Sequence, residues 1–335
     1  MVKKTKKTRN LPNISVVIPM RNSQTTIIET LESIRKQTYP VQEIIVVDDM
    51  STDASYALVK KYSNVHKQMH ISMIKNKTHL MIARSQDKAV KLSKYDYIVF
   101  THSDCRFSST RDIEKLIQPI IKDPSIIATY GGTENPISIW MQYSFWEKML
   151  LCHDSGKLQK VGLLGKVDCI QKKAFLSIGG HDIEGFDNYG GEDADLHLRL
   201  QKKGKIVPTD AKAEHLQIAD SGYPISRLFW KTKFYGDEYG RLLRVEKLKY
   251  GFSPFSYIFV KPVLAIGSLI PQVNILFIPL LLLFIFFYYQ RMFTTRLTLT
   301  DPKIFLLPFV GIALVYYQTF WTFVTFFKPI HRRKI

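Results

Sequence analysis

Two long apolar stretches near the C-terminal end constrain this chain more than any other feature. Twenty-eight residues, Pro262 to Tyr289, carry no charged side chain, and Ile304 to Phe327 adds twenty-four more. A helix of twenty-four residues is ~36 Å long at 1.5 Å per residue, which is enough to cross the hydrocarbon core of a bilayer. The sequence therefore predicts a water-soluble head followed by two transmembrane segments at 256–328.

The first apolar stretch contains Pro262, Pro271 and Pro279, so its upper part is expected to be broken or to lie at the membrane interface. The alternative is a pair of buried core helices, but such helices seldom run this long without a charge. Two spans would return the C-terminal end to the side of the head.

The distribution of charge supports a membrane rather than a nucleic acid as partner. The formal net charge is +18, with 47 basic and 29 acidic residues. Basic residues concentrate in a tail at 1–11, in a segment at 223–255 that is expected to be helical and interfacial, and in a tail at 329–335. Basic residues that flank apolar spans fit the positive-inside rule and anionic lipid head groups. Because no nucleic-acid recognition motif accompanies the charge, nucleic acid is not expected as a partner.

The expected location is the inner face of the cytoplasmic membrane, with the chain crossing it more than once. No apolar signal-peptide region follows the basic N-terminal residues, so the head is expected in the cytoplasm. The three cysteines have no paired spacing, which argues against a disulfide framework and against a structural zinc site.

Strand-like and helix-like segments alternate through the first hundred residues. Short β-branched runs predict strands, and apolar residues at helical spacing predict helices. This alternation predicts an α/β, doubly wound and largely parallel sheet, in which ligands bind beyond the carboxyl ends of the strands. The predicted strands are 14–18, 43–47, 71–74 and 97–100, and the predicted helices are 25–37, 51–62 and 80–92.

Carboxylates follow two of these predicted strands. Asp48 and Asp49 end one strand, and Asp104 follows another. One such carboxylate can accept hydrogen bonds from a base or a sugar, and another can hold a hard divalent cation that bridges two phosphates. Each alone is equally typical of a helix cap or a turn, so it is the combination that favours a binding site.

A second acidic pair, Glu192 and Asp193, follows two glycines at a predicted helix start. The helix dipole favours acidic residues at this position whatever their role. A general base there would have its pKa lowered by the dipole and raised by burial or by a neighbouring carboxylate.

Taken in order, five segments of the chain resemble the family-two glycosyltransferases with the GT-A fold. These segments are ISVVIPMRN, SIRKQTYPVQEIIVVDDMSTD, HSDC, IGGHD and GGEDADLHLRLQKKG. The resemblance covers residues 12 to 216 and thus nearly all of a predicted catalytic domain at 12–222. It implies a GT-A mixed sheet, a nucleotide-diphosphate sugar as donor, and transfer with inversion to an acceptor hydroxyl or phosphate.

The same resemblance implies roles for individual residues. The donor, most often a UDP-sugar, would contact a loop near the first strand, the carboxylate that reads the base and its neighbour, an arginine near the diphosphate, and the segment matching the family's Asp-x-Asp motif. Asp193 would act as the catalytic base with Glu192 beside it, and Mg²⁺ or Mn²⁺ would be held by Asp104 and His215. The implied donor-binding residues are Pro19, Arg21, Asn22, Asp48, Asp49, Arg84, His102, Ser103 and Asp104.

One position departs from the family pattern. His102 stands where the family has the first carboxylate of Asp-x-Asp, and a neutral histidine can hydrogen-bond a hydroxyl or ligate a metal. The substitution leaves open a non-enzymatic alternative, a nucleotide-sugar-binding scaffold subunit.

Transfer of a single sugar to a lipid-linked or cell-surface glycan acceptor is favoured over processive synthesis. Two spans form no channel, and no Gln-x-x-Arg-Trp motif follows Glu214. The aromatic segment from Trp140 to Trp146 is compatible with an acceptor contact or with a core patch.

Overall fold

The structure is a computed structural model that describes residues 11–186, 190–216, 222–246 and 252–329. The predicted basic tails lie almost entirely outside these ranges. The described chain forms two compact units. The first comprises residues up to Gly131 together with 165–178 and 203–212, and the second comprises 132–164, 179–202 and the residues from Ala213 onward. The predicted catalytic domain therefore contributes to both units.

Nine strands and fourteen α-helices are described. The strands are β1 (Ile14–Met20), β2 (Glu43–Asp48), β3 (Ile71–Lys75), β4 (Tyr97–Phe100), β5 (Cys105–Phe107), β6 (Ile126–Glu134), β7 (Leu158–Gln159), β8 (Asp168–Gln171) and β9 (Lys205–His215). The helices are α1 (Ile27–Arg35), α2 (Ser55–Val65), α3 (Met81–Leu92), α4 (Asp112–Lys122), α5 (Ile137–Trp140), α6 (Phe145–Leu151), α7 (Lys172–Ser177), α8 (Ile183–Phe186), α9 (Glu192–Gln201), α10 (Ile225–Glu246), α11 (Phe252–Gly267), α12 (Asn274–Tyr288), α13 (Arg296–Leu299) and α14 (Leu307–Phe327).

The first unit is built on a mixed sheet with the strand order β3-β2-β1-β4-β8-β6-β9-β5. The first four strands pair in parallel, whereas β8 pairs antiparallel with both β4 and β6. All seven residues of β1 are buried, as expected for a central parallel strand covered on both faces. The predicted alternation of strands and helices is confirmed, and the sheet is GT-A-like.

The register of the parallel strands brings the C-terminal ends of β1, β2 and β4 to one edge of the sheet. Met20 of β1 lies opposite Asp48 of β2, and the amide of Asp49 donates to the carbonyl oxygen of Met20 over 2.8 Å. On the other side of β1, the amide of Thr101 donates to the carbonyl oxygen of Val17 over 3.2 Å. The segments that follow β1, β2 and β4 therefore leave the sheet at the same edge, as the sequence predicted.

The second predicted helix begins later than expected. It starts at Ser55 rather than at residue 51, because Asp53 forms a turn ahead of it. The carboxylate of Asp53 accepts hydrogen bonds from the amide of Ser55 over 2.9 Å and from the amide of Gln24 over 3.1 Å. An aspartate that bonds the backbone two residues on favours a turn over a helix interior.

The second unit contains the apolar end of the chain, and there the predicted transmembrane hairpin is not supported. The stretch from Pro262 to Tyr289 is divided between α11 and α12 by a turn at Ser268–Val273 that contains Pro271. The 15 residues of α12 span only ~22 Å, short of a ~30 Å bilayer core. In the described ranges one helix is long and apolar enough to cross a membrane, the 26 residues Pro302–Phe327.

The aromatic segment from Trp140 to Trp146 belongs to the core of the second unit. Trp140 is 1% exposed, and its indole nitrogen donates to the carbonyl oxygen of Lys148 over 3.0 Å. Phe145 is buried in the same cluster, and Trp146 packs against it. The core-patch interpretation of this segment is therefore the one that the structure supports.

Helices α10 and α14 pack along each other through small residues. A Cβ at Gly236 would lie 2.8 Å from the carbonyl oxygen of Gln318, and one at Gly240 would overlap the carbonyl oxygen of Thr322. The Thr325 hydroxyl also donates to the Asp237 carboxylate over 2.5 Å. Glycines at positions i and i+4 let two helix backbones approach closely, which fixes α10 against the apolar helix.

Replacing Gly240 with alanine is expected to destabilise the protein by about 1–3 kcal/mol, because the added methyl group meets backbone rather than a movable side chain. Glycine to alanine within a helix ordinarily stabilises it by ~1 kcal/mol, so the sign of the change is diagnostic. Thermal unfolding in detergent is the measurement, with the exposed Ser226→Ala on the same helix as control. A Gly240→Ala protein that unfolds at a higher temperature would contradict the close packing.

Candidate functional site

Asp49 is the centre of a hydrogen-bond network at the parallel-strand edge of the first unit. It is 4% exposed. One carboxylate oxygen accepts from the amide of Leu80 over 2.7 Å and from Asn76 Nδ2 over 2.9 Å. The other accepts from the amide of Met81 over 2.9 Å and contacts His79 Nδ1 at 2.6 Å. Asp49 therefore fixes the loop that leads into α3.

These contacts also determine the charge state of Asp49. Burial acts to raise the pKa of its carboxyl group, but the hydrogen bonds from the Leu80 amide, Asn76, the Met81 amide and His79 outweigh it and leave the pKa below its ordinary value. Asp49 is thus an ionised hydrogen-bond acceptor at neutral pH. In this state the carboxylate can accept hydrogen bonds from N–H groups.

His79 lies between Asp49 and Arg21, which belongs to the loop after β1. Besides its contact with Asp49, its ring nitrogen Nδ1 lies 2.9 Å from Nη1 of Arg21. The side chains of His79 and Arg21 are both partly exposed, whereas Asp49 is buried. His79 is therefore an exposed group in direct contact with the buried Asp49 carboxylate.

Backbone strain concentrates around this network. Asn22, Met50 and Met81 all have positive φ angles, at 48°, 62° and 66°. Such angles are uncommon for non-glycine residues and tend to occur at functional sites. Asn22 is held by its neighbours: its amide donates to the Ser51 hydroxyl over 3.0 Å, and its side-chain oxygen accepts from the amide of Thr52 over 2.8 Å.

Asp48 is fully buried beneath the same edge. One of its oxygens accepts a hydrogen bond from the amide of Ser51 over 3.2 Å. Among the described residues, the other oxygen has no hydrogen-bond donor. A buried carboxylate oxygen is costly without a donor, so Asp48 offers an acceptor to a water molecule or a ligand hydroxyl at this point.

The segment His102-Ser103-Asp104 follows β4 at the same edge. The carbonyl oxygen of Ser103 accepts from the hydroxyls of Thr26 and Thr30 over 3.0 and 3.1 Å, and its own hydroxyl lies 2.7 Å from that of Ser23. Ser103 therefore holds the turn in place. The side chains of His102 and Asp104 on either side are half-buried.

The other predicted donor-binding residues of the first unit lie near this edge. Pro19 is buried within β1 and lies opposite Val47 of β2, so it shapes the strand that leads to Arg21. Arg84 lies in the first turn of α3 and is half-buried. The helix that carries it begins immediately after the loop that Asp49 fixes.

Glu192 and Asp193 lie in the second unit, at the N-terminus of α9. Gly190 and Gly191 precede them with φ angles of 71° and 89°, which only glycine adopts readily. Nε2 of His181 lies 3.7 Å from a carboxylate oxygen of Asp193. The His181 side chain is 1% exposed, whereas that of Asp193 is 32% exposed. Asp193 is therefore far more accessible than the histidine next to it.

The two carboxyl groups differ in their electrostatic environment. Burial, and then the charge of Asp193, raises the pKa of Glu192 to about 7. One oxygen of Glu192 is buried and accepts no hydrogen bond from the described residues. Glu192 is therefore partly protonated near neutral pH, next to a more exposed carboxylate.

Two further polar residues have structural neighbours in the second unit. Arg199 of α9 donates to the carboxylate of Asp195 over 2.6 Å and to the carbonyl oxygen of Gly180 over 2.8 Å, so it ties α9 to the segment before it. Nδ1 of His215 lies 3.1 Å from the side-chain oxygen of Asn135.

The predicted site residues thus fall into two groups. The residues at the strand ends share one edge of the first unit, whereas Glu192, Asp193 and His215 belong to the second unit. That both groups act on the same donor, as the resemblance implies, stays a prediction. Sequence reasoning missed His79, which contacts Asp49, because an isolated histidine in a loop carries no periodic or motif signal.

The strand order, the parallel edge and the carboxylates placed there define a GT-A-like α/β domain. Residues 15–170 match the profile of the family described as Glycosyl transferase family 2, and the chain carries a domain of that family. This match confirms the family that the sequence motifs indicated.

Curated relatives agree with this family. The chain is 36% identical over 98 residues to the UDP-Glc:alpha-D-GlcNAc-diphosphoundecaprenol beta-1,3-glucosyltransferase WfaP of Escherichia coli, covering 29% of this chain and 38% of the relative. It is 28% identical over 205 residues to an uncharacterized glycosyltransferase of Haemophilus influenzae, covering 58% of this chain and 64% of the relative. The chain thus spans less than two thirds of the length of these relatives.

Solved structures show the same fold. The mannosyltransferase PcManGT from Pyrobaculum calidifontis, solved with GDP-Man and Mn²⁺, matches with a TM-score of 0.58 at 15% identity over 92% of this chain and 87% of that chain. GalNAc-T7, solved with UDP, GalNAc and Mn²⁺, matches with a TM-score of 0.51 at 17% identity over 75% of this chain and 54% of that chain. At these identities the likeness concerns the fold alone.

Replacing Asp49 with alanine is expected to destabilise the protein by about 1–3 kcal/mol at neutral pH, because several buried donors lose their acceptor. Since the folded state lowers the pKa of Asp49 from its ordinary 3.8, its contribution is present above that pH and is lost as the pH falls through the lowered value.

The measurement is thermal unfolding of the wild-type and Asp49→Ala proteins from neutral pH to below pH 3.8. The difference in Tm should shrink towards acid pH, and the exposed Asp96→Ala should show little effect at any pH. A difference in Tm that is independent of pH would show that the charge of Asp49 does not stabilise the loop.

Proposed function

We propose that this protein is a membrane-attached, inverting glycosyltransferase. In this proposal it moves a single sugar from a nucleotide-diphosphate sugar to a lipid-linked or cell-surface glycan acceptor. The observation that carries the proposal is the Asp49 network: a family-two domain that presents an ionised carboxylate, strained backbone and a second buried carboxylate at the carboxyl edge of its parallel strands.

Donor binding is assigned to this edge. Asp49 would accept from the base, most often uracil, after the His79 imidazole moves aside. The unshared oxygen of Asp48 would take a hydroxyl or a water, and Arg21 and Arg84 would face the diphosphate. Asn22, Pro19, His102 and Ser103 would shape the loops around the nucleotide. The curated relative that uses UDP-Glc supports a uridine donor.

A divalent cation fits the chemistry of the residues assigned to it. Asp104 offers a half-buried carboxylate, the type of ligand that Mg²⁺ and Mn²⁺ prefer. Burial raises the pKa of the neighbouring Cys105 thiol, so the thiol stays protonated and is unsuited as a ligand. Asp104 would hold the ion, which when bound neutralises charge on the departing diphosphate, and the metal contact that the resemblance implies for His215 stays a prediction. Two neighbours of this fold were solved with Mn²⁺.

Asp193 is proposed as the general base. The acceptor hydroxyl gives its proton to the Asp193 carboxylate while its oxygen forms the new bond to the anomeric carbon. The bond from that carbon to the diphosphate breaks with its electron pair on the diphosphate, and attack from the opposite face inverts the configuration. The partial exposure of Asp193 beside a more buried Glu192 supports this division of roles.

Attachment to a membrane is proposed through α14. Its outward face carries large apolar side chains, among them Phe309, which is 71% exposed, and Phe320, which is 58% exposed. Such a surface on one long apolar helix is stable in lipid and unfavourable in water. A membrane acceptor fits this location, and the relative that acts on a diphosphoundecaprenol-linked sugar supports it.

Asp193→Asn is expected to lower transfer by about 10²–10⁴-fold, the usual contribution of a general base, while donor binding is kept. Transfer is measured as nucleotide diphosphate released in detergent with Mn²⁺ from a panel of uridine and guanosine diphosphate sugars. Binding is measured as donor-dependent protection against thermal unfolding. Asp96→Asn serves as the control.

Two other outcomes would change this interpretation. A wild-type protein that binds a donor and turns over no donor–acceptor pair would support the scaffold alternative that His102 suggests. An Asp193→Asn protein with undiminished transfer would remove Asp193 from the mechanism.

Asp104→Asn is expected to raise the Mn²⁺ concentration needed for half-maximal transfer and to lower the maximal rate by about 10²-fold or more, as loss of an electrostatic stabiliser commonly does. A titration with Mn²⁺ after treatment with EDTA measures both quantities. Wild-type transfer that persists in EDTA would argue against a divalent cation.

A further inference from the structure

Helices α11, α12 and α14 pack on one another and form what we call the apolar layer. A Cβ at Gly311 of α14 would lie 2.8 Å from the side chain of Ile285 on α12. Nζ of Lys261 on α11 donates to Oε1 of Gln318 on α14 over 2.6 Å. Large apolar side chains of all three helices are exposed, and Ile275 of α12 is 84% exposed. The layer therefore has an outer surface that is unfavourable in water.

The two faces of α14 differ in chemistry. Gln318, Thr322 and Thr325 are buried along one face, which lies towards α10. Phe320 and Phe327 lie on the opposite face at helical spacing, and both are exposed. The polar side chains of α14 thus point towards protein, whereas its outer face is suited to lipid chains.

The charged helix α10 runs beside the C-terminal half of α14. Nζ of Lys233 lies 4.0 Å from the ring centre of Trp321, and the same lysine pairs with Asp237. One helical turn further along α10, Nη1 of Arg244 donates to the carbonyl oxygen of Phe326 over 3.0 Å. Charged side chains are costly in the hydrocarbon core of a bilayer. This half of α14 is therefore unsuited to cross that core.

The other half of the apolar helix is too short to cross a bilayer by itself. α10 lies beside α14 from Tyr317 onward, where the ring of Phe229 is 5.3 Å from the tyrosine ring. From Pro302 to Tyr316 the chain rises about 25 Å at ~1.5–2.0 Å per residue, against ~30 Å for a bilayer core. A spanning α14 would therefore draw charged side chains of α10 into the lipid.

The charges between α12 and α14 favour the same conclusion. This connection contains Arg291, Arg296 and Lys303 against a single acidic residue, Asp301. Arg296 and Lys303 are exposed. Two spans would place these cations on the far side of the membrane, against the positive-inside rule. Beside a single leaflet, the same cations lie level with anionic head groups.

We propose that the apolar layer lies within one leaflet of a bilayer that contains anionic lipids, and that the chain does not cross the membrane between α11 and the end of α14. The outer face of α14 lies among the lipid chains, and α10 lies on the aqueous side. This inference rests on the membrane attachment in the proposed function and specifies its geometry.

The arrangement has a consequence for the acceptor. A Cβ at Gly190, in the turn before Glu192, would lie 2.7 Å from the ring of Phe234 on α10. Gly236 and Gly240, which face α14, lie on the opposite side of the same helix. The turn before the proposed base is thus separated from α14 by the thickness of one helix, about 10 Å. An acceptor that reaches this turn is expected to be carried by a membrane lipid.

Single-cysteine reporters at the two ends of α14 test the topology. Thr300→Cys and Pro329→Cys are both at exposed positions, and the native cysteines are buried, so wild type gives the background. The exposed Asp96→Cys reports the side on which the first unit lies. Intact spheroplasts that express the full chain are treated with a membrane-impermeant maleimide, before and after lysis.

Both ends of α14 should behave like Asp96→Cys, protected in intact spheroplasts and labelled after lysis. Labelling of Pro329→Cys while Asp96→Cys stays protected would show a single span. Labelling of Thr300→Cys under the same conditions would show a hairpin of two spans. Either result would overturn the inference.

Flotation with lipid vesicles tests whether lipid covers the layer. Phe320→Glu should lower the vesicle-bound fraction of the full chain by about tenfold or more, because a large apolar contact is lost and a charge is added. The matched control is Val65→Glu on α2, whose valine is 68% exposed and lies outside the layer. Equal binding of these two variants would rule out lipid contact by the outer face of α14.

The composition of the vesicles tests the placement of the cations. Arg296→Ala should weaken binding to vesicles that contain phosphatidylglycerol by about fivefold and leave binding to pure phosphatidylcholine unchanged. An equal effect on both kinds of vesicle, or none on either, would contradict the position of Arg296 at the head groups.

The outcomes separate this inference from the proposed function. Vesicle binding together with a labelled end of α14 would overturn the inference and keep membrane attachment. A wild-type chain that binds no vesicles and forms a stable dimer without detergent would assign the layer to a second copy, and would contradict both membrane attachment and the inference. Neither experiment needs sugar transfer, so both stay decisive if the protein proves inactive.

Discussion

Parallel hydrogen bonding of β1 to β2 and β4 is the constraint on which the candidate site of the first unit depends. Its register places the ends of three strands at one edge, within the length of a few residues. Burial of every residue in β1 and β2 leaves little freedom to slip, because a shift by one residue would exchange the side chains of two faces that are both closely packed. The strand interior thus fixes where Asp48 and Asp49 emerge.

Beyond the strand ends, the backbone is held in place by the Asp49 carboxylate rather than by further secondary structure. In the loop after β3, the buried carboxylate of Asp49 accepts hydrogen bonds from the amides of Leu80 and Met81 and from the side chain of Asn76. The proposed function assigns the same carboxylate to the base of the nucleotide sugar. One ionised side chain would therefore both stabilise the loop and bind the ligand. On binding, the hydrogen bond from His79 would be replaced by one from the base.

The sequence was sufficient for the strands of the parallel half of the sheet because their β-branched runs are buried on both faces and bounded by turn residues. It was also sufficient for Asp48, Asp49 and Asp104, since positions at strand ends follow from the strands. It failed where the chain is held by contacts distant in sequence. The role of His79 depends on a contact thirty positions away with Asp49. The prolines predicted a break in the first apolar stretch, but hydropathy averages across that break and therefore did not predict that α12 would be only 15 residues long.

In the second unit, α10 makes two kinds of contact through different residues. Gly236 and Gly240 face α14, whereas Phe234 and Glu238 face the turn before Glu192. The basic and aromatic character of this segment predicted an interfacial helix, but glycine spacing and the position of one glutamate determine what it contacts. Because helix faces are rigid, a displacement of α10 along α14 would also move Glu238 against the acidic pair. The turn that precedes the proposed base and the apolar helix are therefore both packed against one continuous helix.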